Sequence, residues 1–180
     1  MTFARLRLLL ACLSLACLNL VGAPALADGV VVPTIKAETL NKAAFTVPAS
    51  FTAARNILLF SFGRDMQAAV DGWDAALAGV RSDSGAETVQ VYNMPLIPNP
   101  GGIVRGFISG GMRGVYKDAA MRDRVIVLYV DEAKVMPALG VADRSAPLVL
   151  VTDKDGREVG RVQGVVSGER VAQVRALAGR

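Results

Sequence analysis

The feature that most constrains this fold is an alternation of short apolar runs with segments of helical periodicity. The run Asn56–Phe62 is apolar almost throughout and ends at Gly63, which is typical of a strand buried on both faces of a sheet. The next segment carries apolar side chains at three- and four-residue steps, namely Met66, Ala69, Val70, Trp73, Leu77 and Val80. That spacing predicts a helix with one buried face, capped at its start by Asp65.

The same alternation continues to the end of the chain. Strands are predicted at residues 88–94, 125–130, 147–152 and 158–163, and helices at residues 103–121, from Asp131 to Pro137, and after Ser167. Asp153–Gly156 has the composition of a hairpin turn. Prolines and glycines at 95–102 predict a loop without regular structure. The order predicts an α/β fold, in which a mainly parallel mixed sheet is flanked by helices and ends in a C-terminal antiparallel hairpin.

Residues 1–27 have the pattern of a secretory signal peptide. Arg5 and Arg7 precede the apolar stretch Leu8–Val21, and Ala25–Ala27 supplies the small residues that a signal protease requires. We therefore expect cleavage near Ala27, a mature chain that begins at Asp28, and a periplasmic or secreted protein. After the signal, residues 28–53 predict an N-terminal β-ribbon or extended lead-in, and residues 54–180 predict the α/β domain.

An alternative for the N-terminal segment would keep the protein at a membrane. The residues up to Cys17 are similar to a bacterial lipobox, so a lipidated Cys17, or a signal left uncleaved, would act as an anchor. Removal of the signal would lower the formal charge from +4 to +2, because Arg5 and Arg7 lie in it. A chain so close to neutral is not expected to bind nucleic acid.

The residue types that are missing exclude several kinds of chemistry. Both cysteines, Cys12 and Cys17, lie in the signal, and the sequence contains no histidine. The mature chain therefore has no thiol for redox exchange, no imidazole for Ser-His-Asp hydrolysis, and no cysteine or histidine for a zinc site. We predict no catalytic residue, no bound metal and no cofactor.

The order of the elements, and the glycines and prolines between them, resemble the thioredoxin-like superfamily over residues 54–178. The strand Ile57–Phe62 and the helix from Asp65 look like the pair that bears the Cys-x-x-Cys motif in that superfamily, and Leu139–Gly156 looks like its proline-bearing segment. The resemblance implies a cis peptide bond at Ala146–Pro147. The lead-in, the stretch Phe62–Trp73 and the closing hairpin are similar to the redox-inactive relatives of the mitochondrial ATP synthase assembly factor.

The chain departs from that superfamily where the redox motif would stand. It has Gly63–Ala68 there, without a cysteine, so the fold is expected without the thiol chemistry. Arg64 and Asp65 at the helix start could instead form a pocket for a small ligand or a peptide carboxylate beside Pro147, since a helix N-terminus favours anions. The alternative is an ordinary helix start, capped by Asp65.

A second candidate site is a stripe of glycines four residues apart: Gly102, Gly106, Gly110 and Gly114. On a helix they form one face without side chains, flanked by Arg105 and Arg113. Such a face either binds a partner through close backbone approach or lets the helix pack tightly on the sheet. A partly irregular segment is a further alternative, because interior glycines weaken helices.

These observations favour a secreted, non-catalytic thioredoxin-fold protein that binds or helps to assemble another protein of the bacterial envelope. Two alternatives remain open from the sequence. One is a small-ligand-binding protein or an enzyme that uses the helix start near Arg64, with Asp65 and Tyr129 nearby. The other is a degenerate peroxiredoxin-like subunit of an active complex.

Overall fold

The computed structural model describes residues 29–85 and 87–179, in which seven strands form one mixed sheet. The strands are β1 (Ile35–Thr39), β2 (Ala44–Val47), β3 (Arg55–Ser61), β4 (Val89–Pro98), β5 (Ile126–Val130), β6 (Leu148–Asp153) and β7 (Glu158–Gln163). Their order across the sheet is β2-β1-β5-β4-β3-β6-β7. Only the central pairs, β3 with β4 and β4 with β5, are parallel, and both edges are antiparallel. The predicted signal peptide, including Cys17, lies outside the described residues.

Helices flank this sheet, which confirms the predicted α/β class with a mixed sheet. The sheet is not mainly parallel as predicted, because β1 and β2 add antiparallel strands at one edge and β6 pairs antiparallel with β3. They are α1 (Gln67–Ser84), α2 (Gly102–Val115), α3 (Ala119–Arg122), α4 (Glu132–Ala138) and α5 (Gly168–Leu177), and a short 3₁₀ turn (Arg64–Met66) precedes α1. Ser167 caps α5 as predicted, because its hydroxyl accepts the N–H of Arg170. Within the described part of the chain, no helix combines the length and the apolar composition needed to span a membrane.

The core forms where α1 and α5 pack on one face of the sheet and α4 packs on the other. The buried face of α1 is the one predicted, and the Trp73 indole N–H donates to the Gly164 carbonyl at 2.9 Å. Gly160 on β7 faces Leu177 of α5. The next residue, Arg161, points to the opposite face and donates to the Leu139 carbonyl at the end of α4.

The segment predicted as a ribbon or lead-in forms the hairpin of β1 and β2. It belongs to the same sheet as the rest, because β1 pairs with β5 through Glu38 and Thr39. The residues before it run beside β7, where the Val32 N–H donates to Gly156 and the Glu158 N–H donates to Val30. The N-terminal described residues are therefore bound to both edges of the sheet.

Strand β4 extends through two prolines, so the prediction of an irregular loop from Pro95 is wrong up to Pro98. The ladder to β3 ends at the pair Ser61–Pro95, while the ladder to β5 continues to Pro98. The Asn99 N–H points to β5, where it donates to Val130. Successive N–H groups of a strand point to opposite sides, so an N–H at position 98 would point away from β5, to the side where β3 has already ended. A missing donor costs nothing there.

The helix predicted over residues 103–121 is divided in two. Helix α2 ends at Val115 because Tyr116 turns inward, where its hydroxyl accepts the side-chain N–H of Asn93 at 3.1 Å. Asp118 then caps α3 by accepting the Ala120 N–H. A buried hydrogen bond and a new helix cap therefore divide a segment whose apolar spacing predicted one continuous helix.

The cis bond implied at Ala146–Pro147 is not present. Among the described residues the cis peptide is Val47–Pro48, and Pro147 is trans, the isomer that an X–Pro bond ordinarily favours. Pro147 is buried just before β6, and its carbonyl accepts the Gly164 N–H at 3.0 Å. Gly156 does adopt the left-handed conformation predicted for it, with φ of 79°.

Candidate functional site

Helix α2 crosses the sheet without burying any of its residues. Several of its large apolar side chains face outward: Ile103 is 81% exposed, Phe107 78% and Val115 66%. The helix contains Arg105 and Arg113 but no acidic residue. The surface of this apolar and basic helix, which buries none of these side chains in the core, is the most unusual one in the described part of the chain.

Polar contacts hold α2 above the sheet. The Tyr129 hydroxyl on β5 donates to the Arg105 carbonyl at 3.1 Å and lies 2.9 Å from the Ser109 hydroxyl. The Arg105 guanidinium carbon lies 5.2 Å from the centre of the Tyr129 ring, and its Nε donates to Asn99 Oδ1 at 3.0 Å. Because few apolar contacts support it, α2 depends on these bonds for its position.

On one side of α2 lies an apolar groove of about 680 Å³. Its walls come from the ends of β3 and β4 and from one face of α2, and they include Phe62, Ile97, Val104, Phe107, Ile108 and Val115. Arg64 is the one charged side chain that lines it. We call this feature the apolar groove.

On the other side of α2 lies a cavity of about 530 Å³ with a different chemistry. Helix α2 faces the neighbouring strands β1 and β5 there. The lining includes Lys36, Glu38, Lys42, Arg105, Arg113 and Tyr129. The four cations outnumber the single carboxylate. We call this feature the basic cavity.

Of the three residues predicted to form a pocket where the helix starts, one lines the apolar groove. Arg64 is exposed and lines the apolar groove, but neither Asp65 nor Pro147 does. Asp65 does not cap the helix as predicted, because it lies inside the 3₁₀ turn and makes no capping hydrogen bond. Tyr129, expected near Arg64, lies beyond α2 in the basic cavity, because β5 is separated from β3 by β4.

The glycine stripe is distributed between the basic cavity and open surface. Gly102 and Gly106 line the basic cavity together with Arg105 and Arg113, whereas Gly110 and Gly114 are exposed and line neither feature. A Cβ added at Gly102, Gly106 or Gly114 would have no neighbour within 4 Å. Tight packing on the sheet therefore does not explain the stripe, and a binding face stays a prediction.

Sequence reasoning did not find the lysines of the basic cavity. Lys36 and Glu38 are exposed and alternate with less exposed residues on β1. The pairing of Glu38 with Val127 places them on the face that α2 crosses. The period-two alternation around Lys36 is the signal that was available. This alternation could not show that α2 lies over that face, since the position of α2 depends on tertiary contacts.

Burial affects one ionisable group beside α2. The pKa of Tyr116 is raised mainly by desolvation, with a further upward contribution from Asp74 and Asp71. Its hydroxyl therefore stays protonated in ordinary conditions and acts as a structural hydrogen-bonding group. In residues 29–85 and 87–179, no three His, Cys, Asp or Glu side chains come together as a metal site.

Comparisons with known proteins identify the fold alone. No model of a known protein family and no curated protein matches the sequence. Solved structures do match. The exposed lipoprotein thioredoxin Etrx1 of Streptococcus pneumoniae superposes with a TM-score of 0.56 at 14% identity, over 80% of this chain and 98% of that one.

Two further structures show the same similarity. A putative thiol:disulfide interchange protein DsbE from Chlorobium tepidum has a TM-score of 0.58 at 14% identity, over 84% of this chain and 98% of that one. BsSco, of the Sco family of cytochrome c oxidase assembly proteins, has a TM-score of 0.59 at 8% identity, over 84% and 95%. With its central β3–β4 pair, the hairpin β6–β7 and helices on both faces, this chain has a thioredoxin-like fold.

Proposed function

We propose that this chain is a non-catalytic thioredoxin-fold protein of the bacterial envelope that binds another protein along the apolar groove. The observation that carries the proposal is the outward apolar face of α2, where Val104, Phe107 and Val115 border the groove. Large apolar side chains exposed beside a concave surface are typical of protein-binding sites.

The charges around the groove indicate the chemistry of the partner. Arg64 is the one charged side chain in its lining, so the groove has a positive charge without a compensating acid. A complementary segment would insert apolar side chains between Phe107 and Phe62 and present a carboxylate to Arg64. The partner we propose is therefore a protein segment that is apolar and acidic.

The local sequence supports a binding role without thiol chemistry. The groove adjoins Gly63–Met66, the stretch that resembles the position of a Cys-x-x-Cys motif, and it contains no cysteine. A thiolate is the nucleophile in disulfide exchange, so this site cannot form a mixed disulfide. The resemblance to redox-inactive relatives of an ATP synthase assembly factor supports a role in assembly.

The binding proposal is tested by crosslinking in the native envelope, followed by reconstitution. We expect the wild-type protein to capture a defined protein that rebinds in purified form with one-to-one stoichiometry. The double variant Val104→Ser/Phe107→Ser should lose most of that affinity, because exposed anchor residues dominate interface energetics. Val165→Ser is the matched control, since Val165 is 57% exposed and lies away from the groove.

Equal binding by the groove variant and by the control would overturn the groove as the interface. Failure to bind any protein, with an intact fold verified by circular dichroism, would overturn the proposed function. Charge reversal at the edge, Arg64→Glu, should weaken binding and reduce its dependence on salt.

The absence of redox catalysis has its own assay. The purified mature chain should not accelerate insulin reduction by dithiothreitol above the buffer rate, whereas an active thioredoxin in the same assay does. Turnover that scales with protein concentration would contradict the proposal.

Export is tested on the native protein. Mass spectrometry should find an N-terminus near Asp28 and the chain in the envelope fraction. Retention of residues 1–27 in a cytoplasmic fraction would exclude the envelope location, and a diacylated Cys17 would replace the soluble form by an anchored one.

A further inference from the structure

We propose that the basic cavity is a second binding site, independent of the apolar groove, for a small, multiply charged oxyanion. The cavity holds about 530 Å³ between α2 and the strands β1 and β5. That volume suits a small metabolite-sized molecule and is too small for a folded partner. Its lining carries four cationic side chains and one carboxylate.

Two different periodicities bring the cations together. Arg105 and Arg113 are eight residues apart on α2, just over two turns, so they share the face that looks onto the cavity. Lys36 stands on the β1 face that α2 crosses, and Lys42 lies in the connection from β1 to β2. Gly102 and Gly106 contribute no side chains, which leaves the space between the two arginines and the strands open.

These cations lack the acidic partners that usually accompany such a cluster. Within the described part of the chain, the ion pairs involve Lys134, Arg144 and Arg161, and none of the four cations of the basic cavity. Arg105 is bound to the neutral amide oxygen of Asn99 and lies over the Tyr129 ring. Its guanidinium is therefore held in place while its positive charge remains uncompensated.

The electrostatics define the class of ligand. Side chains of like charge around one concave surface repel each other, and a bound anion relieves that repulsion. The balance of four cations against Glu38 suits a ligand with two or more negative charges, such as a phosphate ester or a di- or tricarboxylate. Arginine pairs with either group through two parallel N–H bonds.

Calorimetry and chemical-shift mapping at constant ionic strength test the site. Pyrophosphate and citrate are the probes, with chloride as the ionic-strength control. We expect saturable one-to-one binding of at least one probe, a raised melting temperature, and shifts of the Lys36, Gly106 and Ser109 amide signals. Pyrophosphate binding would identify a phosphate ligand, and citrate binding a carboxylate ligand.

The variant Lys42→Gln/Arg113→Gln should weaken that binding by about tenfold or more, since it removes two charged donors. Neither side chain makes a hydrogen bond within the described part of the chain, so the melting temperature of the variant without ligand serves as the check on folding. Lys134→Gln/Lys154→Gln removes the same charge outside the cavity and should bind within about twofold of the wild type. Equal weakening in both double variants, or no saturable binding of either probe, would overturn the site. Retained binding of a groove partner in the first variant would keep this outcome separate from the proposed function.

Discussion

The hydroxyl of Tyr129 on β5 donates a hydrogen bond to the backbone carbonyl of Arg105 in α2, and the Arg105 guanidinium lies over the same ring. One aromatic side chain thus binds both the backbone and the side chain of a single helical residue. The contact lies where α2 separates the apolar groove from the basic cavity. It therefore helps to hold α2 in position between them.

Removal of the Tyr129 hydroxyl should loosen α2. In Tyr129→Phe the Arg105 carbonyl and the Ser109 hydroxyl lose their partner, which costs about 1 kcal/mol of unfolding free energy. Amide hydrogen exchange should accelerate in α2 more than in the central strands. Ser109→Ala is the control, because it leaves the bond to Arg105 intact and should have a smaller effect. Unchanged exchange in α2 would show that other contacts hold it.

Alanine at the glycines of α2 should stabilise the protein. Gly106→Ala meets no atom within 4 Å, and Gly110→Ala meets only an Arg113 nitrogen at 3.8 Å, an ordinary contact. Each change should raise the unfolding free energy by up to about 1 kcal/mol, because alanine favours the helix. Melting temperatures measure the result. A clear fall for both variants would mean that this face packs against something.

Gly156→Ala provides the opposite case. Gly156 has φ of 79°, and an added Cβ would lie 2.8 Å from the Pro48 side chain. The backbone conformation is strained for alanine and the space is filled, so the variant should lose about 1 kcal/mol or more. An unchanged melting temperature would contradict the geometry of the hairpin turn.

Local pattern was sufficient for the central elements. The apolar run that became β3 and the helical stripe around Trp73 are buried as predicted, because their periodicity reflects burial directly. Ser167 and Gly156 also behave as their residue types predict, since caps and tight turns are decided within a few residues.

Features that depend on neighbouring strands could not be predicted from local sequence. Pro98 continues β4 because β3 has already ended beside it. Helix α2 ends because the Tyr116 hydroxyl accepts a hydrogen bond from Asn93 on β4. The candidate sites divide in the same way. The sequence predicted that Arg105 and Arg113 flank the glycine stripe, but only the sheet register brings Lys36 close to them.

Replacement of the buried tryptophan should test the packing of α1 on α5. Trp73 is fully buried and its indole N–H donates to Gly164. Trp73→Phe removes that donor and leaves unfilled volume, at a cost of about 2 kcal/mol. Circular dichroism is the probe, because the chain has a single tryptophan and the variant loses its fluorescence. Urea unfolding should then give a lower midpoint with an unchanged slope. A midpoint within error of the wild type would contradict tight packing here.

The contact between Glu158 and Arg161 predicts how stability depends on pH. The hydrogen bond from the Arg161 side chain holds the pKa of the Glu158 carboxyl below its ordinary value of 4.5; partial burial opposes this, and the Val30 N–H assists. A carboxyl with a lowered pKa binds protons more weakly in the folded than in the unfolded state. Its stabilising contribution is complete above about pH 5, and it is lost as the pH falls through the folded-state pKa.

Glu158→Gln isolates this effect, because glutamine cannot titrate and the two proteins share every other acidic group, including Asp143, whose pKa is also lowered. The wild type should be more stable than the variant from pH 5 to pH 8, by a constant and small margin, since the pair is partly exposed. The margin should shrink below about pH 4.5 as the wild-type carboxylate takes up its proton. Urea midpoints for both proteins at pH 3 to pH 8 measure it. Because Glu158 also accepts the Val30 N–H, the protection of the Val30 amide, measured against its intrinsic exchange rate at each pH, should be lower in the variant than in the wild type at pH 7. In the wild type that protection should fall only under acid conditions. A stability difference between the two proteins that grows towards low pH would mean that the pKa of Glu158 is raised, and it would contradict the contact with Arg161.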